Sequence, residues 1–234
     1  MAKKAIQAQP TKSHQLLRIL DHCGILRRIF SQNIDGLEAK VGFDIFSVEK
    51  SSKCILVHGD IVTIRCEKCA SLYMLENFLS LLQVGESIDC PACMKKENAP
   101  GKRTRTPGHL QPNVLLFNES SPIAEEVVEI SASDCKQVQE NHVLLILGTS
   151  LKIPGIQSII NNFTKATLHF QKVTCIYVDI TSKIPSTLPI GTLHICMDCQ
   201  EFAALAISKI ENHSSATEPL HTRRADFRPL WDWS

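Results

Sequence analysis

An α/β layer fold interrupted by a small cysteine-rich module is the architecture this sequence predicts. Three continuous apolar runs of strand length, "NVLLF" (residues 113–117), "HVLLILG" (142–148) and "VTCIYV" (173–178), read as parallel strands covered on both faces. They alternate with segments of helical periodicity, an order that packs helices against a sheet. Between residues 59 and 108 the composition changes to cysteine, lysine, proline and glycine, which marks an inserted module.

The elements follow in order. In "TKSHQLLRILDHCG" (11–24) Leu16, Leu17 and Leu20 fall at helical spacing, with Thr11 or Ser13 able to cap the start and Gly24 the end. "ILRRIF" (25–30) reads as a short strand that exits into "SQNIDGLE", where Gln32, Asn33 and Asp35 crowd together. "CILVH" (54–58) is a second brief strand, halted at His58 and a glycine. Past the module, one helix begins near Ile123. A second carries Ile156, Ile159, Ile160 and Phe163, and a last one carries Phe202, Leu205, Ala206 and Ile210. Residues 1–58 and 109–210 therefore make up the main layer, 59–108 the module and 211–234 a polar tail ending in "DFRPLWDWS".

At 234 residues and 44% apolar content the chain can bury a substantial core. Its 25 basic and 24 acidic side chains leave a net charge of +1, which argues against whole-molecule steering to nucleic acid. No sequence-specific nucleic acid contact is expected. No signal-peptide run opens the sequence, and no segment approaches the roughly 20 apolar residues of a membrane span. An intracellular chain with no membrane partner is expected, its ten cysteines present as thiols and thiolates.

Four of those cysteines carry a specific signal. Cys66 and Cys69, then Cys90 and Cys93, form two CxxC pairs separated by twenty residues. Each pair offers two thiolates from one tight turn, and four thiolates satisfy a tetrahedral zinc ion with no position left open for chemistry. Such an ion supplies on the order of 10 kcal/mol toward folding. Cys196 and Cys199 form a third pair without a second half, and Cys23, Cys54, Cys135 and Cys175 are expected as small core residues.

Taken in order, "SQNIDGLE", "VHGD", the paired CxxC motifs, "QPNVLLFNE", "LGTSLKIPG" and "CIYVDIT" resemble the sirtuins, NAD-dependent protein deacylases, over about residues 11 to 210. "LKIPG" and "RRADFRPLWDW" look most like the fungal branch that deacetylates histones. The resemblance implies that Gln32, Asn33, Ile34 and Asp35 surround the nicotinamide and its ribose, and that Gly148, Thr149 and Ser150 meet the cofactor. It places Asp179, where the family more often has Asn, at the adenosine end, and Cys199 at a late cofactor contact. His58 falls on the general base. Val114, Phe117, Asn118 and Glu119 fall on the segment that pairs with an acetyl-lysine peptide as an added strand, with Asn118 replacing a usual glycine.

The implied reaction is attack of the acetyl oxygen on the nicotinamide ribose, loss of nicotinamide, and activation of a ribose hydroxyl by His58. The products would be free lysine and acetyl-ADP-ribose, with zinc outside the chemistry. A nuclear location and a histone substrate are implied as well. The family's opening strand and its GAGxS loop, which cradles the pyrophosphate, have no counterpart before Gln32, where the only glycine is Gly24. The expected fold is therefore an incomplete Rossmann-like parallel sheet with two open strand edges and weakened turnover by these residues alone. A non-catalytic zinc-containing module that binds chromatin or a protein stands as the alternative. His14 and the other histidines outside the motifs carry no partner pattern and are expected at the surface or satisfied in the core.

Overall fold

The computed structural model describes residues 2–97, 106–115, 123–138, 142–168 and 174–216. A short helix α1 (Ala2–Gln7) precedes α2 (Lys12–His22), which leads to β1 (Ile29–Ser31). A turn of helix, α3 (Leu37–Lys40), follows, and β2 (Cys54–Leu56) lies parallel to β1 with Phe30 opposite Ile55. The module then begins with β3 (Gly59–Cys66), β4 (Leu72–Met74), α4 (Leu79–Gln83) and α5 (Pro91–Glu97). The strand β5 (Leu110–Val114), the helix α6 (Ala124–Cys135) and β6 (Val143–Leu147) come next. After them α7 (Pro154–Leu168), β7 (Thr174–Asp179), β8 (Leu193–Cys196) and α8 (Cys199–Ala216) complete the described chain.

The described residues form three sheets. β1 and β2 form a parallel pair, β6, β7 and β8 a parallel triplet with β7 central, and β4, β3 and β5 an antiparallel triplet. One hydrophobic core joins the two parallel sheets. Ile55 and Val57 from the first, Ile146 and Tyr177 from the second, and Val127, Ile130, Ile156, Ile159 and Ile160 from α6 and α7 are all buried in it. Phe30 on β1 meets Phe163 on α7 edge-on, with ring centroids 6.3 Å apart. Each such aliphatic side chain contributes about 1.5–3 kcal/mol when fully buried, so these contacts hold the two sheets together without a hydrogen-bonded ladder between them. Among the described residues no strand pairs with the outer edge of β1 or of β6. Val143, on that edge of β6, is 57% exposed.

One ion-pair cluster ties the frame from the side. Arg28, just before β1, reaches the buried carboxylate of Asp134 on α6 and the backbone carbonyls of Lys50 and Ser52. Arg27 adds a 3.1 Å contact to the same carboxylate.

Three expectations need correction. The run 113–117 was expected as a parallel strand of the main layer, yet β5 runs antiparallel to β3 in the module sheet. A short apolar run reports burial and not direction, and the register of β3 decided the matter. The strand expected over 25–30 is confined to Ile29–Ser31, because Leu26 and Lys53 tie the preceding segment by a side-chain bond instead of a ladder. Cys23 is exposed at the C-terminal end of α2, while Cys54 and Cys175 are buried as expected. Burial, with the Glu38 and Asp44 carboxylates adding to it, pushes the Cys54 thiol up to about 12. Finally, α1 and β8 carry no periodic signal and were not anticipated.

Candidate functional site

The residues singled out from the sequence come from strand ends, and the folding of each end is local and simple. β1 stops after Ser31, whose hydroxyl accepts a bond from the Asn33 amide at 3.2 Å. Asp35 accepts the Leu37 amide at 3.3 Å, which turns the chain into α3. Gly36 sits at φ +69°, and a side chain there would strike Val62. The Ile34 carbonyl is taken by the Ile61 amide, so the polar turn is fastened to the start of the module strand.

His58 lies at the end of β2, half-buried, with its Nδ1 3.1 Å from the backbone carbonyl of Gln32. A carbonyl oxygen can only accept, so Nδ1 carries the proton. The lone pair of the neutral ring is then on Nε2, which is left free to take a proton. The next residue, Gly59, has φ +72° and approaches β5 so closely that an added Cβ would lie 2.0 Å from the Asn113 carbonyl oxygen. Only glycine fits here. Val114 stands opposite Gly59 in the ladder, and the Leu115 amide bonds to the His58 carbonyl at 3.0 Å. Phe117, Asn118 and Glu119 lie outside the described residues.

The second wall comes from the far half of the chain. Gln32 Nε2 donates to Thr149 Oγ1 at 2.7 Å, which joins the ends of β1 and β6 across 117 residues of sequence. Gly148 is at φ +58°, and a Cβ there would meet the Cys199 sulfur at 3.2 Å. Ser150 is exposed. Asp179 accepts the Thr181 amide at 2.8 Å, and Cys199 opens α8 with its thiol 3.6 Å from the Val178 carbonyl. Burial, with Asp198 and Asp179 adding to it, raises the Cys199 pKa, so the thiol stays neutral. Two contributors escaped the sequence reading. Tyr177, 1% exposed, donates its hydroxyl to the Thr149 carbonyl at 3.1 Å, and Leu151 is held in a left-handed backbone at φ +55°. An aromatic in an apolar strand and a leucine after "GTS" give no local hint of either role.

The four cysteines of the module also converge. The sulfurs of Cys66, Cys69, Cys90 and Cys93 all lie within 4.8 Å of one another. Cys66 and Cys93 are 3.8 Å apart and Cys69 and Cys90 3.6 Å. A tetrahedral ion with bonds of about 2.3 Å requires sulfurs about 3.8 Å apart, so the set fits zinc. The Lys68 and Cys69 amides both point at the Cys66 sulfur at 3.4 Å, and the Ser71 hydroxyl and amide hold the Cys69 thiol down to about 6. These bonds favour the thiolate that a metal needs.

Among the described residues no helix is long and apolar enough to cross a membrane. The chain is 29% identical over 214 residues to the NAD-dependent histone deacetylase HST4 of Saccharomyces cerevisiae, covering 84% of this chain and 56% of that protein. It is 32% identical over 174 residues to the NAD-dependent histone deacetylase HST3 of the same yeast, covering 68% and 39%. The chain thus spans about half the length of the curated relatives it matches. Its fold is shared with a solved structure described as "Sir2-p53 peptide-NAD+", with a TM-score of 0.64 at 21% identity over 89% of this chain and 73% of that one. The sequence profile described as "Sir2 family" matches residues 1–155, and with the relatives above it establishes that this chain belongs to that family.

Proposed function

We propose that this chain carries the residues of an NAD-dependent protein lysine deacetylase acting on an acetylated histone peptide, in the nucleus. One observation carries the proposal. The bond from His58 Nδ1 to the Gln32 carbonyl ties the imidazole to the QNID turn and leaves Nε2 as the nitrogen able to take a proton, which supports the base role. The names of the fungal relatives, both histone deacetylases, support the substrate class.

In this proposal each residue has a defined task. Gln32, Asn33, Ile34 and Asp35 would hold the nicotinamide riboside end, with Gln32 kept in place by Thr149. Gly148, Thr149 and Ser150 would offer backbone and hydroxyl groups to the cofactor, and Asp179 and Cys199 would bound its adenosine side. When bound, NAD supplies an electrophilic ribose carbon and a good leaving group. Val114, with Phe117, Asn118 and Glu119 beyond it, would accept the substrate as an added strand. His58 would take the proton of a sugar hydroxyl at Nε2, a role typically worth 10² to 10⁴ in rate. Cys66, Cys69, Cys90 and Cys93 would hold a structural zinc that stiffens the module under β5.

The test is nicotinamide release from NAD in the presence of an acetylated histone peptide. His58→Ala is expected to lower the rate about 10² to 10⁴-fold while leaving peptide binding intact. An unchanged rate would remove His58 from the base role. A second reading, a zinc-containing module that binds chromatin or a protein without turnover, is favoured by the edges of β1 and β6 that are unpaired among the described residues. Calorimetry separates the two, because that reading requires peptide binding with no measurable NAD affinity.

A further inference from the structure

Beside the four-cysteine cluster lies a hydroxyl that the deacetylase proposal does not use. Thr106 stands exposed, outside any helix or strand, a few residues ahead of β5. Pro107 follows it. A proline disfavours the helical backbone at the residue before it, so Thr106 is held extended, the form in which a peptide enters the cleft of a proline-directed kinase. Pro107 and Pro122 are the prolines that a serine or threonine precedes, and Ser121, ahead of the second, lies outside the described residues.

A cation already rests on this hydroxyl. Lys68, in the turn between Cys66 and Cys69, places its ammonium 2.8 Å from the Thr106 carbonyl oxygen and 3.1 Å from Thr106 Oγ1. Among the described residues no carboxylate pairs with that ammonium. Its neighbour Glu67 accepts the His109 amide at 3.2 Å instead. The backbone that follows Thr106 is fastened to both cysteine pairs. The Glu67 amide bonds to the His109 carbonyl at 3.1 Å and the Cys90 amide to the Gly108 carbonyl at 2.8 Å. Gly108 is wedged so tightly that an added Cβ would lie 2.7 Å from the Cys66 sulfur and 2.8 Å from Lys68 Cβ. A force on Thr106 is therefore passed to the turns that carry the metal ligands.

The geometry points to Thr106 as a phosphorylation site for a proline-directed serine/threonine kinase, with Lys68 as the receiver of the phosphate. In the transfer Thr106 Oγ1 attacks the γ-phosphorus of ATP. The new O–P bond replaces the bond to the departing ADP, and the hydroxyl proton passes to the kinase's base. The product carries about −1.5 to −2 charge and three acceptor oxygens, so the neutral bond from Lys68 becomes a charge-assisted one. The phosphate clamps residues 106–110 over the Cys66–Cys69 turn and slows the escape of a metal held there. The site stands whether or not the chain turns over NAD, since its test reads phosphate, metal and amide exchange and not activity.

The test incubates the folded, zinc-loaded full chain with a cyclin-dependent kinase and ATP, and locates the phosphate by peptide mass spectrometry. Phosphate is expected on Thr106. Zinc transfer to a chelator should then slow about two- to fivefold, the scale of one exposed ion pair, and amide exchange at Glu67 and Cys90 should slow with it. Lys68→Met, at an exposed position, should accept the phosphate yet release zinc at the unmodified rate. Thr106→Ser should behave as the unaltered chain, and Thr106→Ala, in which Ser121 still precedes a proline, should show no slowing. No phosphate on Thr106 of the folded chain, or equal slowing in Lys68→Met or Thr106→Ala, would overturn the proposal. So would a phosphate on Thr106 that leaves zinc transfer and amide exchange unchanged.

Discussion

The four-cysteine module and the strand-end cluster that we propose as the cofactor pocket are built in opposite ways. All four sulfurs of the module come from residues 66–93, on two turns joined by a few short elements. The pocket takes Gln32 and His58 from one parallel sheet, Gly148, Thr149 and Asp179 from another, and Cys199 from the start of α8. The module is a local structure whose four sulfurs are spaced to hold one ion. The pocket is a long-range structure whose order depends on a shared apolar core. Their failures should therefore be separable.

Removing the metal is the largest perturbation that tests this separation. A chelator, or Cys90→Ser at a fully buried ligand, should withdraw on the order of 10 kcal/mol of folding support from the module. Amide exchange should then accelerate through β3, β4 and β5 while the β6–β7 ladder keeps its protection. Equal loss of protection in both regions would mean that the two are one cooperative unit, and the comparison would fail.

The reverse perturbation acts on the frame. Asp134→Ala leaves the Arg28 guanidinium, 8% exposed, without its carboxylate. Stranding one member of a buried ion pair typically costs about 3–5 kcal/mol. Urea unfolding followed by near-ultraviolet signal should show that loss, with zinc affinity unaltered. A drop in zinc affinity of similar size would show that strain at α6 reaches the module.

How much of this was legible in the sequence differs between the two regions for the same reason. The cysteines announce themselves because thiolate pairs at fixed spacing have few other uses, and 3.6 to 3.8 Å separations follow from them. The β6 and β7 strands were legible because apolar runs bounded by turn residues are local. What failed was direction and partnership: β5 carries the composition of a parallel strand and pairs antiparallel with β3. The residues of the proposed pocket could be singled out only from motifs in family order, since no periodicity links Gln32 to Thr149 or Thr149 to Tyr177. Likewise, nothing near Arg28 in the sequence points to Asp134. Contacts that span a hundred residues are decided by packing, which single-sequence patterns report only as burial.

The smallest predicted effect sharpens the comparison within the pocket itself. Tyr177→Phe removes one hydroxyl that donates to the Thr149 carbonyl and leaves the ring packed in the core, where it also stacks on His194 at 5.3 Å. Loss of a single neutral hydrogen bond typically costs about 0.5–1.5 kcal/mol, which sets the scale of the effect. Because Thr149 is held from one side by Tyr177 and from the other by Gln32, the consequence should fall on its position more than on global stability. A modest fall in the unfolding midpoint, with a larger proportional weakening of NAD binding measured by calorimetry, is therefore expected. If the two change together, or if binding is untouched, Tyr177 supports the sheet alone and the pocket is fixed by the core rather than by its own hydrogen bonds.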